Sequence, residues 1–93
     1  MAIYAVTYTY DGSDAIAEIR PTHRAYLSQL LENGTLLASG PLVGADGALL
    51  ILRAESVEAV AEILDNDPFD IAGVITERAI SEWNPVFGPW SAQ

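Results

Sequence analysis

The hydrophobic period of this chain switches repeatedly between two residues and three to four, and the order of the switches restricts the fold. Ile3-Tyr4-Ala5-Val6-Thr7-Tyr8-Thr9-Tyr10 is rich in β-branched and aromatic residues and is stopped by Asp11-Gly12, a turn signal, so it reads as a first strand. From Asp14 to Asn33 the pattern changes. Ile16 and Ile19, then His23, Tyr26, Leu27, Leu30 and Leu31 recur at helical steps, and Asn33-Gly34 ends the stripe. Proline lacks a donor and clashes with the preceding turn, so the main helix is expected to carry Pro21 in its first turn, with the residues before it forming a separate short turn. Thr35–Ser39, closed by Gly40-Pro41, and Ala48–Ala54 are short apolar runs joined by Gly44-Ala45-Asp46-Gly47, which predicts a hairpin in the middle of the sheet. Ser56 opens a second amphipathic helix through Val57, Val60, Ala61 and Leu64. Gly73–Trp83 alternates as a last strand, and Asn84-Pro85 ends it.

The order β-α-β-β-α-β is that of an α+β, ferredoxin-like split βαβ sandwich: an antiparallel sheet with two helices on one face. Its other face needs a cover, which a second copy of the chain would supply. One domain is expected over residues 1–93, with a fold core over 1–85 and a tail over 86–93. Trp83 and Trp90 bracket the proline-punctuated stretch Asn84-Pro85-Val86-Phe87-Gly88-Pro89, a candidate dimer arm with a disordered end as the alternative.

Composition removes several function classes. Four arginines against 13 acids give a net charge of -9, which repels phosphate backbones and anionic lipid, so neither nucleic acid nor a membrane is an expected partner. The start Met1-Ala2-Ile3-Tyr4 has no basic, apolar signal pattern, and no run is long enough to span a bilayer. Zero cysteines exclude disulfides and fit a cytoplasmic protein. At 93 residues, half of them apolar, a homo-oligomer is a natural source of extra buried surface.

With neither cysteine nor lysine, His23 is the one side chain suited to proton transfer near neutrality, so the functional question becomes what faces it. If Pro21 sits in the first helical turn, so does His23, where free N–H groups and the helix dipole favour a neutral imidazole. The competing reading is an ordinary core-edge histidine on the apolar stripe. Asp67-Pro68, in the run Asp65–Gly73, is first of all a helix-start signal, with Asp67 as N-cap of a short turn through Phe69 and Ile71.

Arg20 is a candidate clamp for an anionic substrate, with a surface ion pair as the alternative. Ser39-Gly40-Pro41 is a candidate pocket mouth, because glycine permits close backbone approach and proline holds the turn; a plain strand-ending turn is the alternative. Tyr4, Tyr8 and Tyr26 are expected at core-facing or pocket-facing positions, mostly as packing. Gly44–Gly47 lacks the spacing of a phosphate loop. One histidine among scattered carboxylates is too few for zinc, and no calcium-loop motif occurs, so no metal is expected. Nothing indicates a nucleotide fold, and no cofactor is expected.

The motifs Arg20-Pro21-Thr22-His23-Arg24-Ala25-Tyr26-Leu27, Asn33-Gly34 with Leu36-Leu37-Ala38-Ser39-Gly40-Pro41-Leu42, Asp65-Asn66-Asp67-Pro68-Phe69 with Ala72-Gly73-Val74, and Trp83-Asn84-Pro85 together resemble the YciI-like (YCII-related) family, from Tyr4 to Pro85. The resemblance implies a dimeric α+β barrel of ferredoxin-like halves and kinship with an isomerase and a dehydrochlorinase of small ring compounds. It also implies a pocket in which a histidine and an aspartate form a catalytic pair. The matching positions are His23 and Asp67, and Arg20, Ser39, Gly40, Pro41 and Phe69 are taken as substrate-binding candidates. An ionised Asp67 within reach would favour the charged imidazole and fix which ring nitrogen presents its lone pair.

The expected function is cofactor-independent general acid/base proton transfer by a small homodimer, an isomerisation or elimination on a small cyclic or aromatic-derived compound. A non-catalytic ligand-binding or sensing dimer and a purely structural dimer are the alternatives.

Overall fold

The computed structural model describes residues 1–91, so the last two residues of the tail proposed over 86–93 lie outside the described residues. The elements are β1 (Ala2–Tyr10), α1 (Ala15–Glu32), β2 (Leu36–Pro41), β3 (Gly47–Ala54), α2 (Val57–Asp65), α3 (Pro68–Ile71) and β4 (Ile75–Trp83). The four strands form one antiparallel sheet in the order β2-β3-β1-β4, which is the ferredoxin-like α+β arrangement. The hairpin therefore contributes one central strand, β3, and one edge strand, β2, rather than lying wholly in the middle of the sheet. That edge position is why β2 runs on through Gly40 to Pro41, since an edge proline removes no inner ladder bond. Gly47 is required across the hairpin loop from Pro41, at the start of β3. A Cβ there would collide with the carbonyl oxygen of Tyr8 on the adjacent strand.

The period-two pattern of β1 sends Tyr4, Val6 and Tyr8 to one face, opposite Leu52, Leu50 and Ala48 of β3. Leu30 of α1 and Val60 and Leu64 of α2 join the same cluster, so both long helices cover that face. Val6, Leu52 and Val60 are fully buried at its centre. Ser56 caps α2 as its sequence predicts, its hydroxyl accepting from the Ala59 N–H at 3.1 Å.

One expectation is corrected. Helix α1 does not begin at Pro21 but runs unbroken from Ala15, with Pro21 as its seventh residue. Proline there forfeits one backbone hydrogen bond and crowds one turn. Packing outweighs that defect, because Ile16, His23 and Leu30, seven residues apart, are buried along one side of the helix. His23 consequently lies beyond the first turn, and the free N–H groups of the helix start do not bear on its charge. None of the described helices is long and apolar enough to cross a membrane.

Candidate functional site

Five parts of the chain converge on one cavity of about 450 Å³. Arg20, His23, Arg24 and Leu27 stand at positions i, i+3, i+4 and i+7 of α1, so the helix presents them as a stripe. Ser39, Gly40 and Pro41 come from edge strand β2, Ala48 and Leu50 from β3, and Tyr10 from the end of β1. The fifth part is the connection from α2 into α3. It supplies Phe69 to the cavity wall and Asp67 behind it.

Asp67 is 1% exposed, and a carboxylate so placed is tolerable only if its oxygens are well supplied with donors. Oδ1 accepts from the Phe69 N–H at 2.9 Å and lies 2.7 Å from His23 Nδ1, while Oδ2 accepts from the Tyr8 hydroxyl at 3.0 Å. The aspartate is thus the N-cap of α3 and the partner of the histidine at once. The two roles are compatible in the sequence, and here both fall on Oδ1, because a carboxylate has lone pairs enough for three donors.

The ring of His23 is held from two directions. Its Nδ1 is taken by Asp67, and the Phe69 ring stacks on its face with centroids 4.0 Å apart and planes 17° from parallel. A carboxylate only accepts, so the proton between the two groups belongs to Nδ1 and the neutral imidazole carries its lone pair on Nε2. His23 is itself 7% exposed and contributes to the cavity lining.

Neighbouring phenols remain protonated. Burial first, then the negative charge of Asp67, pushes the Tyr8 hydroxyl far above the ordinary tyrosine range, which keeps it a donor. Tyr10 is also raised, chiefly by burial and then by Asp67, with Arg20 opposing. Its ring meets Phe69 edge-on at 5.3 Å. Arg78 of β4 ties the segment down from outside, bonding Asp70 of α3 at 2.7 Å and Asp65 at the end of α2 at 2.7 Å.

All of the sequence-predicted positions meet here: His23 and Asp67 in direct contact, with Arg20, Ser39, Gly40, Pro41 and Phe69 around the same cavity. Ser39, Gly40 and Pro41 are exposed at its mouth, whereas Phe69 is buried. Sequence reasoning treated Tyr8 as packing and assigned no role to Tyr10 or Arg24. The available signals were spacings: Tyr8 and Tyr10 alternate onto one face of β1, and Arg24 follows Arg20 by one helical turn.

Comparison with known proteins places this chain in a family. The YCII-related domain matches residues 1–84. Protein YciI of Escherichia coli O6:H1 is 32% identical over 95 residues, covering 88% of this chain and 97% of that protein. Among solved structures, 5-chloro-2-hydroxyhydroquinone dehydrochlorinase (TftG) from Burkholderia phenoliruptrix, in complex with 2,5-dihydroxybenzoquinone, superposes with a TM-score of 0.79 at 24% identity, covering 88% of this chain and 93% of that one. Muconolactone isomerase gives a TM-score of 0.70 at 18% identity, covering 98% of this chain and 95% of that one. Those two likenesses establish the fold, while the domain match and the identity to YciI establish kinship: the chain belongs to the YCII-related family.

Proposed function

We propose that the protein is a small, cofactor-independent enzyme that moves a proton on a cyclic or aromatic-derived compound, with His23 as general acid/base and Asp67 as its orienting partner. The observation that carries this reading is the 2.7 Å pairing of His23 Nδ1 with a buried carboxylate beside a ligand-sized cavity.

In the proposed step, Nε2 takes a proton from a carbon next to a carbonyl group. The C–H electron pair enters the new carbon–carbon double bond as the carbonyl oxygen becomes an enolate, and the imidazolium is balanced by Asp67. Where a second carbon–carbon double bond is conjugated with the enolate, its electrons take the proton back at the far carbon of that system, the carbonyl re-forms, and the double bond has moved, which completes an isomerisation. Expulsion of a leaving group from the neighbouring carbon, with the pair that reverts from the enolate, completes an elimination. A positioned base of this kind contributes roughly 10²–10⁴-fold in rate. The Tyr10 and Ser39 hydroxyls at the cavity wall are suited to donate to the developing oxyanion. Both structural relatives bear names of ring-compound enzymes, a dehydrochlorinase and an isomerase, which supports this substrate class.

The working unit in this reading is a homodimer closed over the sheet face that the helices leave bare. Leu49 and Trp83 on that face, with Val86 and Phe87 in the tail, expose large apolar surface that a second copy would cover. Light scattering on a size-exclusion column at micromolar concentration should return twice the chain mass; a monomer would remove the dimer from the proposal.

The catalytic reading is tested by incubating small unsaturated lactones and hydroxylated quinones in D₂O with the full chain and following carbon-bound deuterium by NMR. Exchange should occur with the native protein and vanish in His23→Ala, whose circular dichroism stays native. Exchange that persists in His23→Ala would assign the chemistry elsewhere.

A further inference from the structure

Among 13 acidic side chains and only four arginines, the cavity is lined by two arginines and no carboxylate. This is the reverse of what a net charge of -9 would scatter there at random. Arg20 and Arg24, one helical turn apart on α1, are both exposed and repel each other across that turn. Neither forms an ion pair among the described residues, where Arg78 is the arginine held by carboxylates. Arg20 also borders a second groove with Asp14 and Asp46, yet pairs with neither.

We infer that the ligand of this cavity is a small organic anion, a cyclic compound whose carboxylate or enolate oxygens are met at the mouth by the guanidinium groups of Arg20 and Arg24. The inference rests on the proposed site and adds the charge of what it takes. Two planar guanidiniums offer forked donors that match a carboxylate, and an apolar floor of Leu27, Leu50 and Phe69 suits the body that carries it. A polyanion is disfavoured because the chain as a whole carries a net charge of -9, so the field admits one compact negative group and repels an extended one. The arrangement also places the anion in the cavity that His23 lines, where its charge favours the imidazolium formed during proton removal.

The test is a matched-pair binding experiment on the full chain. Benzoate and 2,5-dihydroxybenzoate are titrated against benzamide and 2,5-dihydroxybenzamide, with calorimetry for affinity and the His23 imidazole NMR signals for location. The acids should bind roughly tenfold or more tightly than their amides, the worth of a charge-assisted hydrogen bond in a partly dry site. Arg20→Gln and Arg24→Gln, which preserve helix propensity, should each remove about tenfold for the acids and leave the amides unchanged. Arg24→Lys should restore part of the difference. His23→Ala should retain the preference for acids, so a failure of the proton-transfer reading would leave this inference standing. Equal affinity for acid and amide with the His23 signals moving would overturn the anion and spare the pocket. No movement of those signals with any of the four compounds at millimolar concentration would overturn both.

Discussion

Phe69 lies flat against the imidazole of His23, their ring centroids 4.0 Å apart, while its own backbone N–H bonds the same Asp67 oxygen that faces His23 Nδ1. One residue therefore fixes both members of the pair, the histidine by its ring and the aspartate by its amide. Phe69→Ala should destabilise the fold by about 3–5 kcal/mol, since a fully buried aromatic leaves a cavity that its surroundings fill only in part. Phe69→Leu, which keeps most of the volume, should cost about 1–2 kcal/mol and still loosen the imidazole. Urea unfolding gives the energies. A broadened ring-proton signal of His23 in Phe69→Leu would report the loosening, and an unchanged signal would show that the stack does not hold the ring.

Tyr8 makes alkaline stability a readout of the buried carboxylate. Its phenol titrates far higher in the folded chain than the ordinary value of 10.0, because of burial and the neighbouring charge of Asp67. Below about pH 10 the hydroxyl is protonated in both states and its stabilising bond is fully present. Above that, the unfolded chain gives up a proton that the folded chain retains, so stability must fall as pH rises. Unfolding free energies between pH 8 and pH 11 should decline beyond about pH 10. Tyr8→Phe should start about 1–2 kcal/mol lower, its Asp67 oxygen left without a donor, and decline less steeply. Parallel curves for the two proteins would mean that Tyr8 does not carry the effect.

Pro21 is the place where local preference and tertiary packing disagree. An exposed proline in the middle of an 18-residue helix withholds one hydrogen bond and strains the turn before it. Pro21→Ala should raise stability by about 1–3 kcal/mol, less than the full helix-interior penalty because the native turn has already relaxed around the ring. Chemical denaturation checks it; a neutral or destabilising result would show that Pro21 is needed to aim the Arg20 and His23 stripe.

Most of the architecture was legible because its signals are local. Ser56 is a cap, Asn33-Gly34 is a stop, Asp67-Pro68 is a start, and the strands of β1 and β3 announce themselves by residue type. The start of α1 was not, because Pro21 argues for a break that only the burial of Ile16, on the far side of it, overrules. The pair itself was implied by family resemblance, not by spacing: 44 residues separate His23 from Asp67, and no local rule sets that distance in space. Tyr8 was harder still. Its side-chain bond to Asp67 spans 59 residues and depends on the β1 register and on α3 folding over that strand, neither of which hydrophobic alternation specifies.

The ¹⁵N spectrum of the His23 side chain tests the central claim most directly, since the chain has one histidine and the two ring nitrogens of each tautomer resonate apart. In the neutral ring the proton should sit on Nδ1, facing Asp67, with Nε2 bare, and Asp67→Asn should abolish that preference. A neutral ring protonated on Nε2 in the native protein, or a spectrum indifferent to Asp67→Asn, would contradict the arrangement from which the proton-transfer proposal is built.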